Sequence, residues 1–271
     1  EFNDAIEFWK ARNLDFSTIF KRAPDNTLPL RCTTKQDHEI EKAFDNKLLE
    51  IARPAIENKE KVSAELSVTN VDRTIGTMLS SAIARRYGFA GLPDDTVRLS
   101  FKGCAGQSFG AFLARGITFT LVGEANDYLG KGLSGGRIIV KPYENATFDP
   151  ADNVVAGNVI LYGATDGEVY INGQAGERFA IRNSGAIAVV EGTGDHCCEY
   201  MTGGRVVVLG PTGINFGAGM SGGIAYVYDD RNVFDNRCNL DMIDLEQVVS
   251  GDDFVLALAR VQVDATAHDH R

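Results

Sequence analysis

From Gly157 to Gly223 glycine recurs at a fixed interval, in three interleaved series. Gly167, Gly185, Gly204 and Gly223 stand 18, 19 and 19 residues apart, and Gly157, Gly176, Gly194 and Gly213 stand 19, 18 and 19 apart. Gly173, Gly192 and Gly210 follow at 19 and 18. One period shared by three series restricts the fold severely. It is too short for ankyrin, helical or propeller-blade repeats, and no copy carries a leucine-rich-repeat pattern. It suits one coil of a parallel β-helix, where three short faces meet at tight corners. Each corner asks for a residue that tolerates positive φ and close backbone approach, which is glycine.

The segments between the glycines read as rungs. They are "VRLSFKG" (97–103), "GITFTLVG" (116–123), "GRIIVKP" (136–142), "GEVYING" (167–173), "GAIAVVEG" (185–192), "GRVVVLG" (204–210) and "GIAYVYD" (223–229). Side chains alternate along a strand, so aligning the glycines sorts the rungs into faces. Ile138, Val140, Val169, Ile171, Ile187, Val189, Val206, Val208, Ala225 and Val227 are expected inward. The opposite parity gives an outer ladder of Ile139, Tyr170, Ala188, Val207 and Tyr226 that is also apolar. A face in free water would be more polar, so the helical half or a partner is expected to cover it. "KPYENATFDPADN" (141–153) breaks the period, as an insertion leaving a corner would.

Residues 1–95 follow a different grammar and are expected to form a helical linker or extension packed on the β-helix of 96–240, with 241–271 as a tail. "DAIEFWKAR" and "KQDHEIEKAFDNKLLEIARPAIENK" are helix candidates, the second ended or kinked by Pro54. "KVSAELSV" alternates as a strand. Thr69 or Asn70 is expected to cap "VDRTIGTMLSSAIARRYG", whose apolar stripe is Ile75, Met78, Leu79 and Ile83 and whose stop is Gly88. A formal charge of −10 argues against nucleic acid or an anionic membrane as partner. The five cysteines form no C-x-x-C and no metal spacing, which fits reduced thiols in a cytoplasmic-type compartment.

Four motifs could carry chemistry. "GKGLSG" (Gly130, Gly132, Gly135) and "GAGMSG" (Gly217, Gly219, Gly222) match G-x-G-x-x-G. A dinucleotide site needs a helix after the glycines, and here another rung follows. "GQSFG" places Ser108 in a nucleophile-elbow pattern, but the elbow needs a following helix and a histidine, and only His196 is a candidate. "DHCCEY" (Asp195–Tyr200) clusters potential ligands; on an extended strand Cys197 and Cys198 would point to opposite sides, one buried and one exposed. No catalytic, cofactor-binding or metal residue is assigned.

The stretches "RCTTKQDH", "GCAGQSFGAF", "GEANDYLGKGLSGGRIIVKP" and the long run from "GNVILYG" to "GGIAYVYD" resemble the C-terminal domain of the large (α) subunit of glutamate synthase. That resemblance implies a right-handed parallel β-helix of about seven coils built from G-x-G-x-G repeats. It implies a parent enzyme that makes two glutamates from glutamine, 2-oxoglutarate and reductant. An amidotransferase domain would release ammonia into a synthase domain carrying FMN and a 3Fe-4S cluster. The β-helix would be a scaffold between them, without cofactor or catalysis, docking through Ile139, Tyr170, Val207 and Tyr226. The compartment implied is the cytoplasm, or the plastid in a photosynthetic eukaryote. A free-standing interaction subunit of another oxidoreductase complex is the alternative.

Overall fold

In a computed structural model the described residues are 8–11, 13–21, 29 and 31–248. The helix expected over 4–12 falls largely outside them, as does most of the 241–271 tail. The chain divides into two units, Glu1–Ile40 and Glu41–Arg271. The first contains the helical turn α1 (Ser17–Phe20).

The second unit is a parallel β-solenoid of about seven turns. Its strands are β1 (Val62–Val68), β2 (Val97–Ala105), β3 (Ile117–Ala125), β4 (Ser134–Lys141), β5 (Val154–Ala156), β6 (Asp166–Ala175), β7 (Ser184–Thr193), β8 (Thr202–Val208) and β9 (Gly222–Val227). Every pairing is parallel, in the order β1-β2-β3-β4-β6-β7-β8-β9, with β5 bridging β3 and β6. The sheet begins at Val62, ahead of the glycine period. Two rungs make detours. Val62 pairs Val97 across 35 positions that include α4 (Thr77–Tyr87), and Ile138 pairs Val169 across 31 that include the 141–153 loop.

The register corrects the facing expected for β7. Val169 pairs Ala188 and Tyr170 pairs Val189, so Ala188 and Val190 point into the core while Ile187 and Val189 point out. Aligning Gly185 with Gly167 assumed an interval of 18, whereas β6 and β7 pair at 19. A slip of one residue turns every side chain of a strand over. The other inward assignments stand: Ile138, Val140, Val169, Ile171, Val206 and Val208 join one core, with Ala225 and Val227 packed against it. Each such fully buried valine or isoleucine contributes about 1.5–3 kcal/mol.

Helices α2 (Asp45–Ile51) and α3 (Arg53–Asn58) are separated near Pro54, which sits in the first turn of α3. Helix α4 is capped neither by Thr69 nor by Asn70. It starts after Gly76, and the buried carboxylate of Asp45 accepts from the amides of Gly76 (2.7 Å) and Met78 (2.7 Å). The polar side chain that satisfies this helix start therefore comes from another helix. Gly88 terminates α4 as expected. Leu48, Ala52, Ala55, Ile75, Leu79 and Ile83 join the solenoid core, and Phe44 meets Phe101 at 6.4 Å. At the other end Phe216 packs edge-on to Phe234 at 5.0 Å.

The face opposite the long strands is built on a backbone pattern that glycine spacing does not reveal. In each coil alternate residues lie in the left-handed region. Examples are Arg178, Ala180 and Arg182, then His196, Cys198 and Tyr200 one coil on. Their amides bond alternately up and down the stack. Arg178 donates to the Asp195 carbonyl (2.8 Å), Ala180 to Ile160 (2.9 Å) and Arg182 to Glu199 (2.8 Å). Left-handed backbone costs a non-glycine residue about 1–2 kcal/mol, and these inter-coil bonds offset it.

Candidate functional site

A cleft of about 240 Å³ lies where β3, β4, β6 and β7 begin. Its floor is the backbone of Gly116, Gly135, Gly136, Gly167 and Gly185, and charged side chains form its walls. Arg137 on β4 holds Glu168 on β6 (2.8 Å) and reaches Asp95 (3.8 Å), which also accepts from the Thr118 hydroxyl (2.7 Å). Arg115 holds Asp166 at 2.7 Å, and that carboxylate keeps the guanidinium above its ordinary pKa. The Tyr170 hydroxyl donates to Glu168 at 3.1 Å.

Arg137–Glu168 ties adjacent rungs and the other two pairs reach across one rung, where the glycines leave no side chains to pack. Being partly exposed, each contributes less than about 1 kcal/mol. The five ion-pairing residues were not singled out from sequence, because cross-rung partners lie far apart in the chain. The available signal is the position after the rung glycine, which alternates Arg137 and Glu168 on paired strands.

The sequence motifs land elsewhere. Gly130 donates its amide to Phe109 (2.9 Å), Gly132 to Tyr162 (2.8 Å) and Gly217 to Cys197 (2.8 Å). Amides already bonded between coils cannot cradle a pyrophosphate, and β4 and β9, not helices, follow the two motifs. Ser108 lies in a left-handed turn, in the column that continues through Tyr128, Val159 and Arg178 to His196. Four rungs at ~4.8 Å separate serine and histidine by roughly 19 Å, too far for a proton to pass directly.

In "DHCCEY" the structure overturns the expectation of one exposed thiol. Cys197 and Cys198 are 1% and 0% exposed, and their Sγ atoms stand 3.7 Å apart. Left-handed backbone at Cys198 replaces the extended strand assumed for them. Contact with Cys197 and burial push the Cys198 thiol well above its ordinary pKa. Asp195 accepts the Ile214 amide (2.8 Å), and Glu199 faces Arg178 (3.7 Å). Among the described residues no three His, Cys, Asp or Glu side chains are grouped to hold a metal.

The outer ladder exists, with Val189 in place of Ala188. Tyr170, Val189 and Val207 form a second apolar cluster, 9%, 3% and 1% exposed, with Ile139, Leu209 and Tyr226 half-buried around it. No residue of α2, α3 or α4 belongs to it.

Parallel coils, glycine corners and cross-rung ion pairs define a glycine-cornered β-solenoid domain. The chain matches the GXGXG motif family over residues 45–264 and belongs to that family. It is 53% identical over 237 residues to "Glutamate synthase [NADH]" of Schizosaccharomyces pombe, covering 88% of this chain and 11% of that one. It is 52% identical over 246 residues to "Glutamate synthase [NADPH] large chain" of Bacillus subtilis, covering 90% and 16%. It is 50% identical over 214 residues to "Ferredoxin-dependent glutamate synthase 2" of Synechocystis, covering 78% and 14%. The chain spans only about a tenth to a sixth of the length of these relatives. No helix among the described residues is long and apolar enough to cross a membrane.

Proposed function

We propose that this chain is a structural domain of a glutamate synthase large subunit, holding amidotransferase and synthase domains in place without catalysis of its own. One observation carries the reading. The same segment recurs at 50–53% identity in glutamate synthases named for NADH, NADPH and ferredoxin. A segment that recognised the electron donor would diverge with the donor, so this one serves a task common to all three. A stack whose amides, carboxylates and thiols are engaged between its own coils suits load-bearing.

On this reading the parent converts glutamine, 2-oxoglutarate and reductant to two glutamates. FMN and the 3Fe-4S cluster belong to segments outside this chain. The neighbouring domains rest against the half-buried parts of the outer ladder, Ile139 and Tyr226, beside the already buried Tyr170 and Val207. The test is to assay the isolated chain for glutamine hydrolysis and for 2-oxoglutarate-dependent glutamate formation. Neither is expected; turnover at the level of a complete enzyme would end the proposal.

A further inference from the structure

The solenoid is closed unevenly at its C-terminal end. Beneath the left-handed face the chain folds back, with the Phe216 amide on the Arg237 carbonyl (2.9 Å) and Phe216 packed on Phe234. The strand face has no such cover among the described residues: β9 pairs with β8 and stands last in the sheet. The amide of Tyr228 returns to Val208 (2.9 Å), so by alternation the backbone groups of Ala225 and Val227 face the other edge. Their side chains point inward yet remain half-buried, whereas Val206 and Val208 one rung earlier are fully buried. Ile224 is 46% exposed beside them. Among the described residues the core is one rung short.

Exposed edge strands are normally protected by lysine, proline or a bulge. "GGIAYV" (222–227) has neither a charge nor a proline. We propose that the free edge of β9 is a docking site for one further strand, supplied by a partner polypeptide segment. That segment is extended, with apolar residues at alternate positions to cover Ala225 and Val227 and amides to meet their backbone groups. It lacks acidic residues and is flanked by Lys or Arg, because β9 runs directly into Asp229 and Asp230, and residues 229–246 carry six carboxylates against two arginines. The same charge, with −10 on the whole chain, disfavours a second copy as occupant.

The probe is a fluorescent peptide copying the neighbouring rung, Thr202–Gly210, with a lysine added at each end. Saturable binding by anisotropy is expected, with hydrogen exchange slowed at Ala225 and Val227. A version with glutamate at each end should bind about tenfold more weakly. Ala225→Pro removes an amide that faces the free edge, so it should abolish binding while circular dichroism and the melting temperature stay close to wild type. Ile224→Ala, which keeps the backbone intact, should bind within a few-fold of wild type and guards against misfolding of the proline variant. The proposal is overturned by failure of the lysine-flanked peptide to bind. It is equally overturned by protection of Ala225 and Val227 before any peptide is added, or by a sedimentation dimer that accounts for that protection.

Discussion

Asp45 and Gly76 meet across 31 positions, carboxylate to amide at 2.7 Å, and this contact joins α2 to the start of α4. Burial raises the Asp45 carboxyl above its ordinary pKa, against the amide bonds, which lower it. Asp45→Ala should cost about 2–3 kcal/mol in urea denaturation, since three amides lose a charged acceptor.

The pH dependence of that contact has a definite sign. A carboxyl raised in the fold ionises more readily when the chain is unfolded. Its contribution is therefore present below the ordinary carboxylate range and lost as pH climbs through the raised value. The deficit of Asp45→Asn relative to wild type should shrink as pH rises above about 4, the ordinary carboxylate value. A deficit that grows over that window would mean the amide bonds outweigh burial.

Two glycines separate close approach from backbone freedom. Gly157 is not left-handed, but a Cβ there would stand 2.7 Å from the Asp127 amide nitrogen. Gly163 has φ +63° and open space around it. Gly157→Ala should lose about 2–3 kcal/mol by overpacking and Gly163→Ala about 1 kcal/mol from its backbone alone. Equal losses in chemical denaturation would contradict the distinction.

Facing within β7 is open to direct trial. Ala188→Asp places a charge in the core and should prevent folding, while Ile187→Asp on the outer side should fold with a modest loss. Circular dichroism of the two purified variants decides it; the reverse outcome would restore the parity expected from the glycine alignment.

Thiol chemistry should follow burial. Cys32 and Cys104 are exposed, Cys197 and Cys198 buried. Timed alkylation read by mass spectrometry should label the first pair within minutes and the second only after denaturation. Rapid native labelling of Cys198 would be incompatible with its packing.

All seven rungs named from the glycine period are strands of the sheet, because close approach between coils leaves a chemical trace at fixed spacing. What escaped the sequence was less local. The register of β7 hangs on whether Gly185 or Ala186 lies beside Gly167, and only the pairing of Glu168 with Ile187 decides it. The left-handed face is populated by Val159, Leu161, Arg178 and Cys198, residue types that announce nothing of the kind, because inter-coil hydrogen bonds impose the conformation. The Arg137–Glu168 and Asp45–Gly76 contacts join residues 31 apart. Such partners become neighbours only when the coil closes.

The 141–153 loop leaves the stack after Lys141 and returns at Val154, two residues before Ala156 pairs with Ala125 and Ala175. The coils above and below keep their order across this excursion. The corner therefore behaves as a socket: its far end is held by Gln174, which donates to the Ala151 (2.6 Å) and Asn153 (2.8 Å) carbonyls, and the column is undisturbed by what lies before them. New binding loops, whether selected or engineered, can be installed there without redesigning the fold that carries them.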